Sequence, residues 1–140
     1  MKKELQEKLF EKYPKIFRQK DLDMTETAMC WGIACGDGWY WLIDRLCSNL
    51  QWNTDNNNRP IKGDENNYPY PQVEAVQVKE KFGGLRFYVG GATDRQHAVI
   101  NFAEALSYTI CENCGSTEEV EQTKGGWIQS LCKKCREKEN

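Results

Sequence analysis

The sequence predicts an α+β fold, on three observations: apolar stripes at helical spacing, two alternating runs meeting at a glycine pair, and two Cys-x-x-Cys turns toward the C-terminus. We expect a small antiparallel hairpin packed with about three helices over residues 1–108, then a four-cysteine zinc ribbon over 109–140. A chain of 140 residues, 39% hydrophobic and 29% charged, has room for one core and a minor module, not two full cores.

Leu5, Leu9 and Tyr13 recur at helical spacing, and Pro14 stops the pattern, so the first helix is expected over 3–13. The second begins at Asp37, a natural N-cap. Trp39, Ile43, Leu46 and Leu50, flanked by Leu42 and Cys47, give it one buried stripe down to about Trp52. Residues 53–72 hold six Asn and three of the four Pro, which is turn chemistry; Tyr68 and Tyr70 lie within this long loop.

The spacing then changes to two, with strands expected over 74–82 and 85–90 around a Gly83-Gly84 turn. That register pairs Phe82 with Leu85 and gives an apolar face of Val76, Val78, Phe82, Leu85, Phe87 and Val89, with Glu80 alone among them. A carboxylate there needs a partner, and Arg45 and Arg95 of the helical layer are candidates. The third helix opens on Thr93-Asp94-Arg95-Gln96, a capping-box pattern, and its expected stripe is Val99, Phe102, Leu106 and Ile110.

Ile110 leads directly into Cys111-Glu112-Asn113-Cys114-Gly115, and after a gap of 17 residues comes Cys132-Lys133-Lys134-Cys135. Two such turns close a tetrahedral thiolate shell, so Cys111, Cys114, Cys132 and Cys135 are expected to hold one structural Zn²⁺. Segments Glu119–Gln122 and Trp127–Leu131 flank Lys124-Gly125-Gly126 as a small hairpin, with Val120, Trp127, Ile128 and Leu131 as its apolar residues. Redox use of either cysteine pair is the competing reading. Seven cysteines, an odd number with four at metal spacing, suit a reducing cytoplasm better than a disulfide framework.

A formal charge of −2 does not favour nucleic acid or an anionic membrane at long range, and no stretch approaches the ~20 apolar residues of a membrane span. Local patches remain. The face of the hairpin opposite Glu80 carries Lys79, Lys81, Arg86 and Tyr88, cations beside a ring, and Cys35-Gly36-Asp37-Gly38-Trp39-Tyr40-Trp41 sets glycines and aromatics at a helix start. Lys79, Lys81, Arg86 and Tyr88 with Trp39, Tyr40 and Trp41 are therefore the candidate ligand-binding residues, for a small anionic ligand such as a nucleotide. No catalytic residue is assigned. His97 is the sole imidazole and nothing pairs it with Cys35, so a binding protein is favoured over an enzyme.

The motifs Cys35-Gly36-Asp37-Gly38-Trp39-Tyr40, Lys79 to Tyr88, Cys111-Glu112-Asn113-Cys114-Gly115 and Gly126-Trp127-Ile128 before Leu131-Cys132 resemble a family of small uncharacterised proteins carried by bacteriophages and prophages. The likeness runs from about residue 13, although the last ligand pair includes histidine in some relatives. It implies a phage-type accessory protein in the host cytoplasm that captures or inhibits a host factor or host defence signal, either a protein or a small anionic ligand. The alternative is a nucleic-acid-binding regulator using the ribbon and the basic, aromatic strand face.

Overall fold

The computed structural model describes residues 1–57 and 70–138; Tyr68 and most of the Asn-rich loop lie outside them. Helix α1 spans Lys3–Lys12 and helix α2 spans Tyr40–Asn57, opened by a 3₁₀ turn at Asp37–Trp39. The buried stripe of α2 is the expected one, but the helix runs five residues past Trp52, because Asn53 and Thr54 are themselves buried. Asp37 is not its cap. Its carboxylate instead accepts the Lys2 backbone N–H at 2.7 Å.

The sheet is mixed, with order β1-β2-β3. Strands β2 (Glu74–Lys81) and β3 (Gly84–Gly90) form the predicted hairpin, and the two-residue strand β1 (Ile33–Ala34) adds in parallel to β2. So short a strand carries no alternation to read from sequence.

The hairpin turn falls one residue earlier than expected. Lys81 pairs with Gly84 and Glu80 with Leu85, leaving Phe82-Gly83 as the turn, at φ of 54° and 83°. Both central residues of a type I′ turn need positive φ, so an aromatic side chain occupies a position that ordinarily costs it about 1 kcal/mol. Gly84 stands in the first pair of β3 instead, where a Cβ would lie 2.3 Å from the Tyr108 ring. The slip sends Phe82 into solvent, 65% exposed, while Val78, Glu80, Leu85 and Phe87 keep the core-side face.

Helix α3 (Asp94–Ser107) carries the predicted capping box, with both the Thr93 and Gln96 bonds formed. Its buried side is rotated from the expected stripe. Gln96, Ile100, Ala103 and Ser107 face inward, and Phe102 is 67% exposed. Polar groups stand beside Ile100 and Ala103 because the helix covers the free edge of β3: Ser107 Oγ accepts the Leu85 N–H at 2.8 Å and Glu104 Oε2 accepts the Phe87 N–H at 2.9 Å. Gln6 of α1 closes the other edge by accepting the Ile33 N–H. Both sheet edges thus end on side chains, which removes the template for strand addition.

Between these layers lies a core of Leu9, Ile16, Phe17, Met29, Trp39, Ile43, Leu50, Val78 and Leu85, all fully buried. Buried at its margin, Asp44 accepts hydrogen bonds from the Tyr13 hydroxyl at 2.9 Å and from Lys12 and Arg45. Burial opposes its charge, but those donors outweigh it and hold the carboxyl below the usual range. A depressed folded pKa gives stability that is complete above the unfolded value of about 4 and is lost as pH falls through the folded one. Asp44→Ala should therefore cost about 2–4 kcal/mol at pH 7, as read from denaturant midpoints, and the deficit should shrink on acidification below pH 4.

Candidate metal centre

Helix α3 and the residue Ile110 deliver the chain into a closed turn. Gly115 N–H bonds back to Cys111 O at 2.8 Å, Cys111 N–H bonds to Ser116 O at 2.8 Å, and Gly115 takes the left-handed φ of 83° that such a turn asks of its last residue. The second cysteine pair sits at the start of helix α4 (Lys133–Lys138), preceded by strand β5 (Ser130–Leu131), which pairs antiparallel with β4 (Glu121–Gln122). A Glu112 N–H to Ser130 O bond of 2.9 Å ties the two halves together, and Arg136 donates to the Glu119 and Leu131 carbonyls.

These elements bring the four cysteine sulfurs within 4.8 Å of one another. Cys111, Cys132 and Cys135 are buried and Cys114 is exposed. Burial works against a thiolate at Cys111, yet the N–H groups of Cys132, Cys114 and Asn113 outweigh it and bring its pKa down to about 7. Cys114 moves the opposite way, to about 12. The Ser116 N–H favours its thiolate, but burial and hydrogen bonds with the neighbouring thiols prevail. Sulfurs this close cannot all ionise unless a cation shares the charge, so the donor set suits a dication bound by four thiolates. The cluster is therefore compatible with a structural metal site.

The turn at Cys111–Gly115 is seated on the body. Gly38 N–H donates to Glu112 O at 2.8 Å, and Gly36 N–H to Glu112 Oε2 at 2.9 Å. A Cβ at Gly36 would lie 2.3 Å from Glu112 O, and one at Gly38 would lie 2.1 Å from Cys111 O and 2.6 Å from Gly115 N. Backbone meets backbone here, and only glycine allows it. The buried Trp39 indole completes the seat by donating to Ile110 O at 2.9 Å. At the hairpin tip, Ser130 Oγ donates to Gly83 O and Trp127 Nε1 donates to Glu80 Oε1 at 2.9 Å. Glu80, expected to meet Arg45 or Arg95, is half-buried and held instead by Trp127 and the Gly83 N–H; neither arginine is its partner.

The other candidate residues fall in separate places. Lys79, Lys81, Arg86 and Tyr88 share one face of the hairpin; Arg86 is partly covered, bonding Leu85 O and the Tyr108 hydroxyl. Trp39 is fully buried, whereas Tyr40 and the 65% exposed Trp41 line a different cleft, bordered by Gly38, Cys114 and Gly115. Cys35 is no activated thiol. Burial first, and the charge of Glu112 second, push it up to about 12. Trp127, counted among the apolar residues of the ribbon, is 67% exposed, with its indole turned outward to reach Glu80.

Sequence reasoning missed Glu112, a buried carboxylate whose Oε1 has no hydrogen-bond partner, since a residue inside a Cys-x-x-Cys turn reads as a surface spacer. Among the described residues no helix is long and apolar enough to cross a membrane. Comparison with protein-family models, with curated proteins and with solved structures finds no match to the chain.

Proposed function

We propose that this chain is a binding protein stapled by one structural zinc ion, acting as an accessory factor that captures a host component. The observation that carries the zinc assignment is the sulfur geometry. Zinc–thiolate bonds of about 2.3 Å in a tetrahedron set sulfur–sulfur edges of about 3.8 Å. The Cys114–Cys132 edge is 3.7 Å, and the whole set fits inside 4.8 Å. Four protein thiolates fill the shell and leave no coordination position for a substrate, which makes the ion a folding element.

Binding is favoured over catalysis because the residues that could have formed an active centre are occupied internally. Gly36 and Gly38 receive the metal turn, Asp37 holds Lys2, Glu80 holds Trp127, and Cys35 is buried as a thiol. What remains outward is aromatic and cationic: Lys79, Lys81, Phe82 and Tyr88 on the hairpin, and Trp127 with Lys124 on the ribbon. The resemblance to phage-borne proteins supports a host protein or a small anionic defence signal as the target.

Metal analysis of the purified protein should find one zinc per chain, and cobalt substitution should give the intense thiolate-to-metal absorption of a four-sulfur site. Native mass spectrometry of protein recovered from its host should show added mass from a retained partner or nucleotide. A metal-free, folded chain, or one whose four cysteines are disulfide-bonded under reducing conditions, overturns the zinc assignment; turnover of a substrate at the glycine motif overturns the binding reading.

A further inference from the structure

Trp127 is unusual among the exposed rings. Its face is open to solvent, yet its edge is fixed by the 2.9 Å bond from Nε1 to Glu80 Oε1, and Glu80 is itself held by the Gly83 N–H. An indole anchored across the seam between ribbon and body is a preorganised platform, and little side-chain freedom is lost when a partner lands on it. It borders a cleft of about 550 Å³ on the ribbon hairpin, lined also by Glu121, Gln122, Lys124, Gln129 and Arg136.

The chemistry of that lining discriminates between partners. A hydrophobic side chain from a protein would want apolar walls around the indole, and the cleft has amides and charges instead. A nucleobase wants what is there: a ring to stack on and edge donors and acceptors beside it. The Gln129 amide makes no hydrogen bond among the described residues, and Lys124 has no ion-pair partner among them. Arg136 is committed to the Glu119 and Leu131 carbonyls and lies 3.8 Å from Glu121, and Glu80 is bound to the indole, so the exposed Lys124 is the cation left for a phosphate.

We propose that the Trp127 cleft binds an unpaired nucleobase of single-stranded nucleic acid, stacked on the indole with its edge toward Gln129 and its phosphate toward Lys124. The strand must be single because a duplex hides base faces. Glu80 is a positioning residue, acting on the ligand only through Trp127. This goes beyond the binding reading above, whose target is a protein or a small anionic signal, by assigning a nucleic-acid ligand. It moves the site from the Lys79–Tyr88 strand face to the ribbon.

The test uses the full, zinc-loaded chain and a fluorescently labelled 12-residue oligonucleotide, dT or U, followed by anisotropy at about 50 mM salt, where phosphate contacts are strong. Binding should weaken about tenfold or more in Trp127→Ala. Lys124→Ala should lower the salt slope by about 1. Glu80→Ala should weaken binding less than Trp127→Ala, with no further loss in the double variant, and Trp52→Ala, on an exposed ring of α2, should change nothing. Ultraviolet crosslinking of the unmodified protein to a 5-iodouracil oligonucleotide should map to Trp127, which keeps the test decisive if Trp127→Ala fails to fold. Absence of binding at that salt, a crosslink mapped elsewhere, or equal affinity for duplex overturns the proposal. If the oligonucleotide fails while native mass spectrometry still shows a retained protein, the nucleobase inference is wrong and the binding reading stands.

Discussion

Gly38→Ala should destabilise the chain by about 3 kcal/mol or more, well beyond the usual penalty of adding one methyl group to a surface segment. The new Cβ would sit 2.1 Å from Cys111 O and 2.6 Å from Gly115 N. These are backbone atoms of the metal turn and cannot swing aside as a side-chain end can. Relief requires lifting the turn away, which breaks the 2.8 Å bond from Gly38 N–H to Glu112 O and leaves both groups short of that partner in a partly buried seam. Gly126→Ala is the matched control, because nothing lies within 4 Å of a Cβ there; its effect should stay within about 0.5 kcal/mol. Urea unfolding with an unchanged slope checks both. Equal midpoints for Gly38→Ala and the unmodified protein would mean that the metal turn does not rest on this glycine.

What the sequence made legible was whatever repeats along one element. The α2 stripe, the Thr93–Gln96 capping box and the four cysteine ligands each depend on spacing within a few residues, and each appears where expected. What it hid was contact between distant segments. The two glycine motifs read as a helix start and a hairpin turn, but their glycines are set by backbone 76 residues away at Gly36 and by the Tyr108 ring at Gly84. The hairpin register differs as well: Gly83-Gly84 is the better turn locally, but the turn falls on Phe82-Gly83 and Gly84 lies in β3 against the Tyr108 ring. Phe102 and Trp127 misled in another way. Hydrophobicity alone placed them inside, whereas α3 spends its inward side on capping β3, and Trp127 is held outward by one carboxylate.

Removing the metal should be felt far beyond the ribbon. Cys132→Ser, or a strong chelator acting on the unmodified protein, should lower the thermal midpoint of the whole chain by on the order of 10 °C, because the metal turn supplies partners that the body cannot replace. Gly36 N–H, Gly38 N–H and the buried Trp39 indole all donate to the segment Ile110–Glu112, and Gly83 O accepts from Ser130. Each bond lost in a buried seam costs about 1–3 kcal/mol, and several are lost together when the turn opens. The same coupling sets a pH dependence. Cysteine ligands must lose their protons to bind a metal, so binding weakens as pH falls. Acidification should therefore release the metal and lower the midpoint in parallel. Near-ultraviolet circular dichroism reports on packed aromatic rings, including Trp39 buried against the metal turn, and that signal should collapse with the metal. A near-ultraviolet signal and melting midpoint that survive complete removal of the metal would show that the seam is held without it.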